Sequence, residues 1–113
     1  MPRSLNADFE RLFFERRVYL EPHLTVAEMA RRLHTNKTYV SRLVNENYGM
    51  SFPNLLNTFR IQYAREYIAA HPDIPLYQVA PACGFTSIAL FHLVFKQQTG
   101  FTPATFLASL QTQ

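Results

Sequence analysis

The feature that most constrains this chain is a repeat inside it. Residues 24–56 lie over residues 74–107 when one inserted residue is allowed. Leu24 falls on Ile74, Val26 on Leu76, Met29 on Val79, Ala30 on Ala80 and Leu33 on Cys83. Past the insertion, Val40 meets Phe91, Val44 meets Phe95, Gly49 meets Gly100, Met50 meets Phe101, Ser51 meets Thr102 and Leu55 meets Phe106. Apolar positions that match at helical spacing around a turn and a glycine stop imply one small helical unit, built twice.

Helical periodicity runs through the rest of the sequence, and strand-like alternation is scarce. Residues 6–20 place Phe9, Leu12, Phe13, Arg16 and Tyr19 or Leu20 at helical spacing, with Pro22 as the stop. Thr25 and Glu28 form a capping box that starts a short helix to about residue 33. Asn36 caps a helix over 36–47, which Tyr48-Gly49 ends. Ser51 caps a long helix over 52–70, with Pro53 tolerated in its first turn, and His71-Pro72-Asp73 breaks it. The second copy predicts a short helix over 76–83, another over 87–98 and a capped third helix. Pro81 falls inside 76–83, where a proline costs about 3 kcal/mol in a helix interior and less in a last turn.

The repeated unit has a physical logic. Ala30 and Ala80 are small enough for a second helix to cross the first closely. Leu33-His34-Thr35 and Cys83-Gly84-Phe85 then redirect the chain. The second helix keeps apolar residues inward and presents its other face to solvent. This is the helix-turn-helix pattern, whose second helix can lie in a DNA major groove. The predicted fold is all-α, about seven helices, with two tandem helix-turn-helix subdomains joined by a long linker helix. The expected division is 1–22 as a lead-in helix, 23–50 as the first unit, 51–71 as the linker helix and 72–113 as the second unit.

Composition narrows the function. The 113 residues carry a net charge of +3, a mild bias toward an anionic partner. Residues 1–71 hold ten of the eleven Lys and Arg, so attraction to nucleic acid must come mainly from there. A single cysteine, Cys83, excludes an internal disulfide or a cysteine-based zinc site, and it reads as core packing. No apolar run is long enough to span a membrane, and the mixed, charged opening residues do not read as a signal peptide. The reducing cytoplasm is the expected compartment, without membrane contact. Three glycines leave no material for a phosphate-cradling loop. His23, His34, His71 and His92 lack metal-ligand spacing, so no metal and no cofactor is expected. No nucleophile, base and orienter assemble, so no enzyme activity is expected.

The second copy carries Ile74, Val79-Ala80, Gly84-Phe85, Phe91, Phe95-Lys96, Gly100 and Thr102-Pro103. The first copy and linker carry Leu24-Thr25, Ala30, Tyr39-Val40-Ser41-Arg42, Gly49, Ser51-Phe52, Asn57, Arg60-Ile61 and Ala64. In these residues the chain resembles the DNA-binding domain of the AraC/XylS family of bacterial transcription regulators, over residues 20–110. The resemblance implies a C-terminal domain of a longer regulator, with two helix-turn-helix units entering successive major grooves on one face of the duplex. A helix over 53–71 is about 28 Å long, close to the roughly 34 Å between successive major-groove segments. The family pattern often has Arg where this chain has Leu93, Ser where it has Ala89, and Tyr-Arg where it has Phe106-Leu107. Weaker base readout by the second unit is therefore expected.

On the first recognition helix, Tyr39, Val40, Leu43 and Val44 take inward or flanking positions. Lys37, Thr38, Ser41, Arg42 and Asn45 share the outward face and are the expected DNA contacts. Arg42 suits a guanine edge, Thr38 and Ser41 suit base edges or thymine methyls, and Lys37 and Asn45 suit phosphates. On the second helix Phe91, Val94 and Phe95 face inward with Ile88 near their edge, leaving Ala89, Leu90, His92, Leu93, Lys96 and Gln97 outward. Ser87, His92 and Lys96 are the expected contacts there. Arg60 on the linker suits a structural role better than a phosphate, and Arg31 and Arg32 suit either the DNA backbone or solvent.

The function expected is sequence-specific binding of double-stranded promoter or operator DNA. RNA polymerase and a sensor or receiver domain elsewhere in the full-length protein are the further expected partners. The competing reading is a protein-interaction module whose apolar second unit docks a sensor domain or polymerase subunit. Steep salt dependence of duplex binding distinguishes the first from the second.

Overall fold

A computed structural model describes residues 4–112; Arg3 and the last residue of the expected second unit lie outside the described residues. The described residues form seven α-helices and no strand. These are α1 (Leu5–Glu10), α2 (Val26–Arg32), α3 (Lys37–Tyr48), α4 (Phe52–Ala70), α5 (Val79–Ala82), α6 (Ile88–Thr99) and α7 (Pro103–Gln111). Two compact units result, Met1–Leu56 and Asn57–Gln113, and their boundary falls within α4.

In the first unit the caps follow the side chains. The Thr25 hydroxyl accepts from the Glu28 N–H at 3.1 Å, but the Glu28 carboxylate turns to Arg31 and Arg32 instead of closing the capping box. The Asn36 side-chain Oδ1 accepts from the Tyr39 N–H at 3.0 Å and starts α3. Gly49 ends it at φ +69°, donating to the Asn45 carbonyl at 2.9 Å. A side chain there would meet open space, so glycine is favoured by the left-handed backbone alone.

The lead-in segment is not the single helix that its spacing suggests. After α1 the chain widens into a π-helical turn over Arg11–Glu15, where the Arg16 N–H donates to the Arg11 carbonyl at 3.0 Å. Arg17 then turns left-handed at φ +54°, and a 3₁₀ turn follows over Val18–Leu20. Aromatic contacts accompany this break in the helical ladder. Phe9 and Phe13 stack with centroids 5.3 Å apart and both are fully buried, while Tyr19 packs on Phe13 at 5.3 Å. Phe52, at the start of α4, meets the Phe9 ring edge-on at 6.4 Å and closes this core.

The second unit repeats the first turn by turn. The Thr35 N–H donates to the Ala30 carbonyl at 2.9 Å, and the Phe85 N–H donates to the Ala80 carbonyl at 2.9 Å. The residues before them, His34 and Gly84, both have positive φ, +56° and +91°. Ser87 caps α6 by accepting from the Leu90 N–H at 3.1 Å, and Thr102 caps α7 by accepting from the Thr105 N–H at 3.1 Å. The helix expected over 76–83 is split. A 3₁₀ turn, Leu76–Gln78, leads into α5, which places Pro81 in a first turn where no intrahelical donor is required. The core is an aromatic chain: Phe85 to Phe91 at 5.4 Å, Phe91 to Phe95 at 5.7 Å and Phe95 to Phe106 at 5.5 Å. From α4, Ile61, Ala64 and Ile68 pack into it.

Candidate nucleic-acid interface

Burial sorts the face of α3 by periodicity. Val40, Leu43 and Val44 are buried, and Lys37, Thr38, Ser41, Arg42 and Asn45 are exposed. Tyr39 departs from expectation. Assigned to an inward or flanking position, it is 53% exposed because Val40 and Leu43 already fill the side that faces α2 and the core. Its ring lies under Arg42, whose guanidinium carbon is 5.7 Å from the ring centroid. Sequence reasoning missed Tyr39 as a member of the outer face. The usable signal was its spacing of three from Arg42.

On α6, Phe91, Val94 and Phe95 are buried, while His92 and Lys96 are exposed one turn apart. Ser87 is exposed and its hydroxyl oxygen is engaged as the helix cap. The His92 ring stands edge-on to Phe91 at 5.8 Å. Ile88, expected near the buried edge, is instead 49% exposed, and Leu90 and Leu93 join it on the surface. The outer face of α6 is therefore largely apolar.

Several other basic side chains are engaged within the protein. Arg32 reaches both carboxylate oxygens of Glu21, at 2.8 and 2.6 Å, and also Glu28 at 3.0 Å. Arg31 donates twice to Glu28, at 3.0 and 2.6 Å. Hydrogen bonds from Arg31, and next from Arg32, hold the Glu28 carboxyl down at about 2. The hydrogen bond from Arg32 likewise lowers Glu21. Arg11 pairs with Asp8 at 3.2 Å, and Arg65 lies over Phe106 at 5.8 Å. Arg60 is buried over Phe85, and desolvation lowers its pKa. Burial also pushes the Cys83 thiol up to about 12, as expected of a core residue rather than a nucleophile. Among the described residues Lys37, Arg42 and Lys96 have no ion pair. No cluster of three metal-ligating side chains occurs among them, and no helix is long and apolar enough to cross a membrane.

A family described as a helix-turn-helix domain matches residues 29–109, spanning both repeated units. The chain belongs to the AraC-type helix-turn-helix family of DNA-binding domains. Among curated relatives of this AraC-type domain is an uncharacterised HTH-type transcriptional regulator, YtdP of Bacillus subtilis strain 168. It is 30% identical over 86 residues, covering 76% of this chain but 11% of that protein. The chain thus spans about a tenth of that relative's length. The C-terminal domain of AraT, a response regulator from Geobacillus stearothermophilus, shares the fold. Its TM-score is 0.84 at 21% identity, covering 95% of this chain and 86% of that one. The DNA-binding domain of the global transcriptional factor AdpA, solved in complex with a target DNA, has a TM-score of 0.82 at 22% identity. That likeness covers 97% of this chain and 96% of the other.

Proposed function

We propose that this AraC-type domain binds double-stranded promoter or operator DNA sequence-specifically on behalf of a transcription regulator. The observation that carries the reading is the outer face of α3. Lys37, Thr38, Ser41, Arg42 and Asn45 stand exposed together there, while Arg11, Arg31 and Arg32 of the same unit are held by carboxylates. The AdpA domain, similar in fold, was solved on a target DNA, which supports the same use here.

In this reading α3 and α6 enter successive major grooves, as the two docking segments of 23–50 and 72–113. Arg42 donates to the acceptor edge of a guanine, and Thr38 and Ser41 meet neighbouring base edges. Lys37, Asn45 and Lys96 hold phosphates, and Ser87 and His92 lie at the DNA surface of the second unit. The domain works in the cytoplasm, joined to a sensor or receiver domain and acting on RNA polymerase, with no catalysis of its own.

Exposed Ile88, Leu90 and Leu93 favour a second reading, in which α6 docks a protein. Anisotropy titration of the domain with a pool of random duplexes separates the two. Binding at about 50 mM salt that weakens steeply toward 200 mM is the result expected of DNA recognition. Absence of any duplex affinity at the lower salt overturns the DNA reading in favour of the docking module.

A further inference from the structure

Tyr39 and Arg42 are one turn apart on α3, and both are exposed. The arginine's guanidinium carbon lies over the tyrosine ring at 5.7 Å from its centroid, within the range of cation–π attraction. Among the described residues, no ion pair or hydrogen bond competes for the Arg42 head group. The tyrosine is not needed for burial, since Val40, Leu43 and Val44 fill the inner side of the helix.

The internal repeat supplies an independent observation. α3 and α6 have the same length and the same cap positions, so Tyr39 corresponds to Leu90 and Arg42 to Leu93. The aromatic ring is present in the copy that has the arginine and absent from the copy that lacks it.

We infer that Tyr39 is a positioning residue for Arg42, holding its guanidinium ready to read a guanine; this rests on the DNA-binding reading above. An arginine on a long flexible stem loses rotamer freedom when it is fixed against a base. A ring that restrains the guanidinium before DNA arrives reduces that loss. A guanidinium that faces the ring keeps its N–H donors in its own plane, and in that orientation the fork stays available to the O6 and N7 acceptors of guanine. Tyr39 adds to specificity without reading a base.

The experiment begins with selection of the preferred duplex from a random pool by the unaltered domain. Affinities of Tyr39→Ala, Tyr39→Phe, Arg42→Ala and the Tyr39→Ala/Arg42→Ala double variant are then measured on that duplex. The same measurements are made on its single-base changes. Tyr39→Phe keeps the ring and is expected to bind as the parent does. Tyr39→Ala is expected to weaken binding about two- to fivefold, and to lose discrimination at the base pair whose preference Arg42→Ala abolishes. In the Arg42→Ala background it is expected to do nothing more. Thermal midpoints of all variants should match the parent's, because both side chains are exposed. Additive effects of the two alanine changes overturn the inference, as does a Tyr39→Phe variant as weak as Tyr39→Ala, which would mark a hydroxyl contact to phosphate. Equal weakening on every duplex also overturns it. Failure of the unaltered domain to bind any duplex removes the DNA reading itself, and the inference with it.

Discussion

The guanidinium carbon of Arg60 lies 5.7 Å from the centroid of the Phe85 ring, and Arg60 is only 8% exposed. A cation this deep in the second unit is expected to act within the fold, the Phe85 ring contact included, and not on a DNA phosphate. Arg60→Ala is expected to lower the unfolding free energy by about 2 kcal/mol, the scale of a desolvated cation–π contact. Arg60→Lys should recover only part of this, since an ammonium lacks the planar face. Urea denaturation measures the loss. In parallel, the salt slope of duplex binding should stay unchanged for the charge-removing Arg60→Gln. A shallower slope with unaltered stability would assign Arg60 to the phosphate backbone instead.

Phe95 is fully buried between Phe91 and Phe106, with centroids at 5.7 and 5.5 Å. Truncating it removes the middle of the aromatic chain and leaves a cavity. Phe95→Ala is expected to cost roughly 3–5 kcal/mol. A small domain with ordinary stability then loses much of its folded population. A variant with the parent's thermal midpoint would mean that this ring does not anchor the core.

The repeat was legible because each copy states its start, stop and core in short-range chemistry. Asn36, Ser51 and Thr102 accept from backbone N–H groups as their positions suggest, Ser87 does so as well, and Gly49 and Gly100 take the left-handed stops. The bounds of α4 were readable for the same reason. The lead-in segment was not, since a π-helical turn and a left-handed Arg17 leave no periodic trace. Phe9 and Phe13 fit an ordinary helix equally well, and their contacts with Tyr19 and Phe52 involve partners that the local spacing does not reveal. Ile88 and Tyr39 were misplaced because spacing locates a helix face to within a residue. The competition for space at its edge is settled by neighbours that are distant in sequence. Exposure of Arg42 and its neighbours followed from periodicity, whereas the engagement of Arg32 by Glu21 depends on a turn bringing together residues eleven apart.

Glu28 gives the first unit an acid-sensitive contact. Its carboxyl is lowered from 4.5 to about 2 by hydrogen bonds from Arg31 and then Arg32. A carboxyl that is more acidic in the folded chain contributes stability above 4.5 and loses it as pH falls to about 2. The pair is solvated, so the contribution is small and weakens with salt. The thermal midpoint should therefore decline with acidification across that window. Glu28→Gln should make the decline shallower, and more visibly at low ionic strength. An identical pH profile for the variant would show that the Arg31–Glu28–Arg32 cluster contributes nothing to folding.

The two recognition helices should read DNA unequally. α3 presents Arg, Lys, Ser, Thr and Asn to solvent, and Arg42 carries a donor fork suited to guanine. α6 presents Ile88, Leu90 and Leu93, of which Leu93 stands where the repeat places Arg42 and is 55% exposed. A leucine donates no hydrogen bond, so it offers at most an apolar surface to a thymine methyl. One sharply defined half-site is expected for α3. A degenerate, A·T-leaning one should lie about one helical turn away, recognised mainly by backbone position and shape. Arg42→Ala should cost about 1–3 kcal/mol of binding and relax the preference at one base pair. Leu93→Ala should leave sequence preference nearly unchanged. Both variants are to be titrated against every single-base change of the selected site, at one fixed salt concentration. A second half-site as sharply specified as the first, or greater damage from Leu93→Ala than from Arg42→Ala, would reverse the assignment of the reading helix.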